Sequence, residues 1–244
     1  MIAKKRKTKA ARKNARFRRL LRAVVAIVGF AALLVISWLA LTWPDVAALA
    51  SRRPEKTAFI DRARAEHDRI QWVWVDADSI SRHLKKAVVV AEDMSFFSHR
   101  GFDTHEIKVA ARDAVRGKRV RGASTITQQL AKNLWLSPSR SPVRKMKEVV
   151  LTRQLERRLS KKRILEIYLN VVQFGPRIYG AEAAAQNYFG VSAAELEPEQ
   201  AAELAAGLPR PSSWHPGVES RGYRRSVARI RARMEQADWM DELL

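Results

Sequence analysis

The chain of 244 residues contains no cysteine. That absence excludes disulfide cross-links, thiolate nucleophiles and cysteine-ligated zinc. It does not fix the compartment, since extracytoplasmic proteins can lack cysteine too. The histidines, His67, His83, His99, His105 and His215, form no HExxH pattern or other close ligand spacing. Strand signals are few, and no internal repeat is present. Acids are also scarce, with 25 Asp and Glu against 46 Lys and Arg, for a formal net charge of +21. What is plentiful is apolar content, 47% of residues. That suits one mainly α-helical globular domain with appendages and a core that needs no covalent staples.

The positive excess is unevenly placed. Residues 1–22 hold eleven Lys or Arg and no acid. Such a balance first suggests nucleic acid, but the run that follows argues for a membrane. Residues 23–43, AVVAIVGFAALLVISWLALTW, carry no charge. At about 1.5 Å per residue this helix is roughly 30 Å long, enough to span a hydrocarbon core. Trp38 and Trp43 lie in its C-terminal half, and Trp43, just before Pro44, suits an interfacial anchor. The positive-inside rule places 1–22 as a cytoplasmic basic tail and 44–244 across the membrane. The tail also suits anionic lipid headgroups. A cleaved signal peptide is the competing reading, but its apolar region usually spans only about 7–15 residues, and Ala47-Ala48-Leu49-Ala50 is a weak cleavage site. A retained single-pass anchor over 23–43 is therefore expected.

Beyond it, residues 44–70 read as a membrane-proximal stalk, 71–216 as the main domain and 217–244 as a C-terminal amphipathic segment. Residues 71–75, QWVWV, suggest a short extended piece, and Ser79 the start of a helix leading to Glu92. Ile107, Ala110, Ala111 and Ala114 suggest a helix stopped at Gly117. Residues 116–124, RGKRVRGAS, read as a mobile basic loop. Thr125 to Gln128 forms a capping-box pattern. Ser141-Pro142 and Ser160 are further helix starts, residues 181–189 and 198–207 are alanine-rich helices, and a last helix begins near Tyr223 with Val227, Ile230 and Met234 in register.

Three clusters carry candidate chemistry. In VVVAEDMSFFSHRGFD (88–103), Glu92 and Asp93 sit between apolar and aromatic residues. The pair is either a solvated turn or a carboxylate whose pKa is raised by apolar walls, as a general base requires. Lys132, Asn133, Arg140, Arg144, Lys145 and Glu148 form the second cluster; Arg144 and Lys145 precede Glu148 by four and three residues and share its helical face. This is either a surface ion-pair lattice or a cradle for a diphosphate. The third, Gly122 to Gln129, gathers Ser124, Gln128 and Gln129 at a helix N-terminus, which serves capping or phosphate binding. Tyr168 and Asn170 are placed where they could approach the same cleft.

Taken together, AEDMSFFSHRGFD (91–103), RGASTITQQLAKNLWLS (121–137), RKMKE (144–148) and KKRILEIYLNVVQFG (161–175) closely resemble the peptidoglycan glycosyltransferases, which polymerise lipid II. The resemblance runs from about Pro44 to Pro216 and is to the monofunctional branch, since no serine has lysine three positions later. It implies a lysozyme-like glycosyltransferase domain over 71–216 with a small membrane-proximal jaw. It further implies attack of the acceptor lipid II 4-hydroxyl on C1 of the growing chain, with inversion and release of undecaprenyl diphosphate. By resemblance Glu92 is the catalytic base and Glu148 the second essential glutamate. Lys132 and Arg140 contact the diphosphate, and Ser124, Gln128, Gln129, Asn133, Arg144 and Lys145 line the substrate cleft. Asp93 and Phe97 support Glu92. No cofactor is required, although magnesium or manganese is compatible with the chemistry. The implied partners are lipid II, the growing strand, membrane lipids and other wall-synthesis and division proteins, with no nucleic acid. The implied location is the cytoplasmic (inner) membrane, with the catalytic domain outside. Ala123 stands where the family usually has a second glycine. The rival readings are a lysozyme-like hydrolase or lytic enzyme, which has no use for a cation cradle, and an inactive scaffold for wall assembly.

Overall fold

Side-chain caps set where the helices of this protein begin. A computed structural model describes residues 18, 21–31, 33, 34, 37, 41–117, 124–139 and 141–244. The chain divides into two units, Met1–Asp45 and Val46–Leu244. In the first, 21–31 and the described positions through 42 are helical. Among the described residues no helix is long and apolar enough to cross a membrane; positions 32, 35, 36 and 38–40 of the expected span, Trp38 included, lie outside them.

The second unit is mainly helical. It runs through a 3-10 turn (Ala47–Ala50), α1 (Ala58–Glu66), β1 (Gln71–Trp72), a 3-10 turn (Ala77–Ser79), α2 (Arg82–Glu92) and α3 (Thr104–Val115). There follow α4 (Ile126–Trp135), α5 (Pro142–Arg158), α6 (Lys161–Val171), β2 (Gln173–Gly175), β3 (Ile178–Tyr179) and α7 (Ala181–Phe189). A 3-10 turn (Ala193–Glu195), α8 (Pro198–Gly207), α9 (Arg221–Glu235) and a last 3-10 turn (Asp238–Met240) complete it. The segments 44–70 and 217–244, set apart in the sequence, contribute α1, which packs on α4, and α9, which packs on α8 and α2.

Thr125 closes the expected capping box with Gln128. Ser141 Oγ accepts from Arg144 N at 3.1 Å with Pro142 in the first turn, and Ser160 Oγ accepts from Arg163 N at 3.2 Å. Each such cap stabilises its helix by about 1 kcal/mol. The helix expected from Ser79 starts later. Residues 77–79 form a 3-10 turn, and Ser81 is the cap, its hydroxyl accepting from His83 N and donating to Leu196 O at 2.7 Å. The tertiary bond to Leu196 outweighs the local choice between two serines.

Helix α2 is the centre of the core. Leu84, Ala87, Val88, Val89 and Val90 are fully buried, and the helix packs on α8 and α9. Lys86 on α2 is buried yet paired with Asp241 at 2.7 Å and Asp238 at 3.5 Å, so the C-terminal turn supplies the partners its charge needs. Helix α4 lies against α1, α5 and α6. The result is that α2 ends, at Glu92, beside the start of α4.

The small sheet has the order β1-β3-β2, with β1 parallel and β2 antiparallel to β3. Of the extended QWVWV piece only Gln71–Trp72 pairs as a strand. Its continuation is held by a side chain instead. Fully buried Asn170 accepts from Val75 N through Oδ1 and donates to Val75 O through Nδ2, both at 2.9 Å. Its own carbonyl accepts from Trp72 Nε1 at 2.8 Å. Asn170 thus acts as a one-residue strand edge for 72–75, and its polar atoms are committed to scaffold rather than to a cleft. Replacing it by alanine orphans both Val75 groups, each costing about 1–3 kcal/mol. Asn170→Ala is therefore expected to lower the melting temperature by roughly 5–12 °C, read by circular dichroism on the purified chain; a change under 2 °C would show that water replaces the amide.

Candidate active site

The last turn of α2 delivers two adjacent carboxylates to different environments. Asp93 is the C-cap, its N–H bonded to Val89 O at 2.9 Å. The backbone leaves the helical conformation at that residue, with φ −160° and ψ 75°. The side chain is buried, and Oδ2 accepts from Ile126 N, the first residue of α4, at 3.0 Å. A carboxylate is favoured at that position by free N–H groups and the helix dipole. His99 Nε2 meets the same carboxylate at 2.8 Å, while His99 Nδ1 accepts from Gly101 N at 3.0 Å. The bond at Nδ1 places the imidazole proton on Nε2, where it is donated to Asp93.

Gly101 is required by its backbone. Its φ is +89°, and a Cβ there would stand 2.8 Å from Thr152 Cγ2 and 3.0 Å from Glu156 Cγ. Its carbonyl accepts from Thr125 Oγ1 at 2.8 Å, so the loop after Asp93 returns to the cap of α4. Beneath it, buried Glu156 accepts from Thr127 Oγ1 at 2.5 Å and from Lys161 Nζ at 2.7 Å. Lys161 also lies 4.4 Å over the ring of Phe96. Phe96 is fully buried, and Phe97, the aromatic singled out in the sequence, packs edge-on against it at 5.0 Å.

Glu92 is left partly exposed beside this network. Gln129 Nε2 donates to Glu92 Oε2 at 2.6 Å, and Tyr168 Oη donates to Gln129 Oε1 at 2.9 Å. Burial raises the Glu92 pKa above the ordinary carboxyl value; the Gln129 hydrogen bond opposes this, and the charge of Asp93 adds to it.

Lys132 follows Gln129 by three residues on α4, on the same face and about 4.5 Å farther along the axis. Its side chain makes no hydrogen bond or ion pair among the described residues. Its ammonium lies 5.3 Å from the centre of the Phe59 ring. Burial lowers its pKa, Glu148 opposes that, and Arg144 and Lys145 add to it. Glu148, buried on α5, accepts from Arg144 Nη1 at 2.6 Å and from Lys145 Nζ. Arg144 Nε is buried and has no hydrogen-bond partner among the described residues. The expected sharing of one face by Arg144, Lys145 and Glu148 is thus observed, and the cluster adjoins Lys132.

The remaining sequence candidates divide. Gln128 is buried in the capping box, its Oε1 accepting from Thr125 N at 3.0 Å, so it faces the helix start rather than a cleft. Ser124 is exposed just ahead of that cap, and Asn133 is buried beside Lys132 on α4. Arg140, Ala123 and residues 118–122 of the basic loop lie outside the described residues. Among the described residues no three His, Asp or Glu side chains converge to offer a divalent cation a ligand set. A surface depression of about 860 Å³ lies elsewhere, lined by Trp72, Arg177, Tyr188 and His215 among others, and touches neither glutamate. His99 escaped the sequence reading because its link to Asp93 needs the loop to fold back; the HRG turn, with an obligatory glycine, was the available signal.

A partly buried carboxyl at the end of α2 and a desolvated cation on the adjoining α4 suit a group-transfer enzyme acting on an anionic leaving group. The comparisons agree. A sequence model of the family described as Transglycosylase matches residues 56–235. The chain is 51% identical over 185 residues to the biosynthetic peptidoglycan transglycosylase of Alcanivorax borkumensis, covering 75% of each chain. It is 46% identical over 178 residues to that of Dechloromonas aromatica, covering 72% of this chain and 77% of the relative. With that of Azoarcus sp. (strain BH72) it shares 43% identity over 212 residues, covering 84% and 91%. The chain belongs to the transglycosylase family.

Asp93 has two donors to satisfy, and an asparagine there must turn its NH₂ toward one of them. Asp93→Asn is expected to cost about 1–3 kcal/mol and to lower the melting temperature by roughly 3–10 °C. An unchanged unfolding curve would show that Asp93 does not join α2 to α4.

Proposed function

We propose that this chain polymerises lipid II into the glycan strands of peptidoglycan, transferring the lipid-linked growing chain to the 4-hydroxyl of an acceptor lipid II. The observation that carries the reading is the path from Glu92 at the end of α2, through Gln129, to Lys132 on α4. A carboxyl group with a raised pKa stands at its start, and a desolvated ammonium without an ion pair among the described residues lies one turn along α4. The names of the relatives support the same substrate class.

In this mechanism Glu92 accepts the proton of the attacking 4-hydroxyl. The oxygen of that hydroxyl forms the new bond to C1 as the C1–oxygen bond to the diphosphate breaks on the opposite face. The bonding pair leaves on the diphosphate oxygen, so the anomeric centre inverts. Lys132 meets the developing negative charge, and its incomplete neutralisation by Glu148 leaves attraction to be gained in the transition state. Arg140 serves the same diphosphate, as the resemblance implies. Glu148 holds Arg144 and Lys145 in place, with both of its oxygens engaged, which favours an organising role over a second acid–base role. Asp93 and Phe97 set the position of Glu92. Ser124, Asn133 and Gln129 contribute to the substrate cleft, and Gln128 contributes through the helix cap.

A lipid-linked substrate requires the site to stand at a bilayer. Val143 and Met146 on α5 are 65% and 70% exposed, and Ile107 and Val115 on α3 are also exposed. Such apolar faces suit the membrane-proximal jaw of a lysozyme-like domain. The span at 23–43, with the basic tail in the cytoplasm, would hold that jaw at the outer face of the inner membrane, within reach of other wall-synthesis proteins.

Purified protein incubated with labelled lipid II tests the reading. Wild type should form polymer, and Glu92→Gln should lose roughly 10²–10⁴-fold in rate with an unchanged fold. Polymer from that variant at near-normal yield would remove the base. Lys132→Ala should lose about 10²-fold, and an unchanged rate would end its role at the leaving group. Because a base must be unprotonated and burial raises the Glu92 pKa, the rate should fall on acidification through a midpoint above 4.5, the ordinary value. A midpoint at or below it would contradict the environment described.

A further inference from the structure

Tyr168 is fully buried in α6 and belongs to the core by every measure except its hydroxyl, which donates to Gln129 Oε1 at 2.9 Å. Gln129 in turn donates to Glu92 at 2.6 Å. A carboxamide has one accepting and one donating end, whereas an ionised carboxylate only accepts. The amide must therefore show its NH₂ to Glu92, which leaves its oxygen toward Tyr168, where only a donor is tolerated. A half-turn of the amide would set oxygen against carboxylate and take from the buried Tyr168 hydroxyl the acceptor of its proton. The bond from Tyr168 therefore favours the observed orientation.

We propose that Tyr168 is a positioning residue for the base, acting through Gln129 to hold the amide in the orientation that favours ionised Glu92. The proposal rests on the reading of Glu92 as the base. The Gln129 bond is the hydrogen bond Glu92 receives among the described residues. The charged and titratable groups around the site are otherwise engaged or set apart. Asp93 is adjacent and bonded to His99, Lys132 lies one turn on along α4, and Arg233 of α9 reaches the carbonyl of Val90 at 3.3 Å. Lys161 and Glu156 pair with each other beside Phe96. Burial, together with the charges of Glu92 and Asp93, pushes the Tyr168 hydroxyl well above its ordinary pKa. The proton it donates is therefore retained across the working range.

The expected sign follows from the bond. The Gln129 hydrogen bond stabilises the carboxylate and so lowers the Glu92 pKa. Freeing the amide weakens that bond and raises the pKa, so the acid limb of kcat/KM moves to higher pH. Tyr168→Phe keeps the ring and removes only the hydroxyl. In the lipid II assay its acid limb should rise by about half a pH unit or more, giving a roughly threefold or greater loss below the midpoint. The alkaline plateau should change by less than about threefold. Gln129→Leu should move the limb in the same direction, and Tyr168→Phe combined with Gln129→Leu should move it no farther than Gln129→Leu alone. A purely structural tyrosine would instead lower the plateau and the melting temperature while leaving the limb in place. An unmoved limb in Tyr168→Phe, or a shift that adds to that of Gln129→Leu, overturns the proposal. If Glu92→Gln polymerises like wild type, the base assignment and this inference fall together; if it is inactive and the Tyr168→Phe limb is unmoved, only this inference falls.

Discussion

The carboxylate of Asp93 is the joint on which the site is built. The backbone N–H of Asp93 closes the last turn of α2 on Val89 O, and its carboxylate accepts from the first N–H of α4. Because α2 runs through the core, this single junction fixes where Glu92 emerges relative to every side chain on α4. His99 and Gly101 lock the junction from the loop side, and the Thr125 hydroxyl returns that loop to the cap of the same helix. A buried carboxylate without donors would be costly; here its oxygens are met by a backbone N–H and an imidazole N–H, so burial produces rigidity rather than strain.

The adjacent carboxylate has the opposite fate. Asp93 is saturated with donors, whereas Glu92 receives the one Gln129 bond against the burial that raises its pKa. Two neighbouring acids are thereby given different environments, one tied into the scaffold and one left with a raised pKa at the surface of the fold. Farther along α4 the logic is mirrored in a cation. Lys132 loses hydration without gaining a bonded counter-ion, while Arg144 and Lys145 both bond to Glu148. The cation left least satisfied is the one best placed to receive a developing anion.

Support for α2 comes from the far end of the chain. Asp238 and Asp241 pair with buried Lys86, Arg233 reaches Val90 O, and α9 packs along α2 and α8. The C-terminal segment, which carries no motif of its own, thus braces the helix that presents Glu92. The second brace is Asn170, whose amide substitutes for a strand and ties the 72–75 segment to α6.

Much of this protein is written locally. Helix starts at Thr125, Ser141 and Ser160 follow from hydroxyl capping and Pro142, and the sharing of Glu148 by Arg144 and Lys145 follows from helical spacing, because these interactions span no more than four residues. The linked motifs around Glu92 and Lys132 likewise identify the family without coordinates. What the sequence could not determine is every partnership across the fold: Ser81 rather than Ser79 as a cap, Asp93 with Ile126, Gln129 between Glu92 and Tyr168, Asn170 with Val75. A buried polar group must find its partner wherever packing puts one, at separations of 33, 39 or 95 residues. Residue order records which groups need partners, and only the packed core decides which ones they meet.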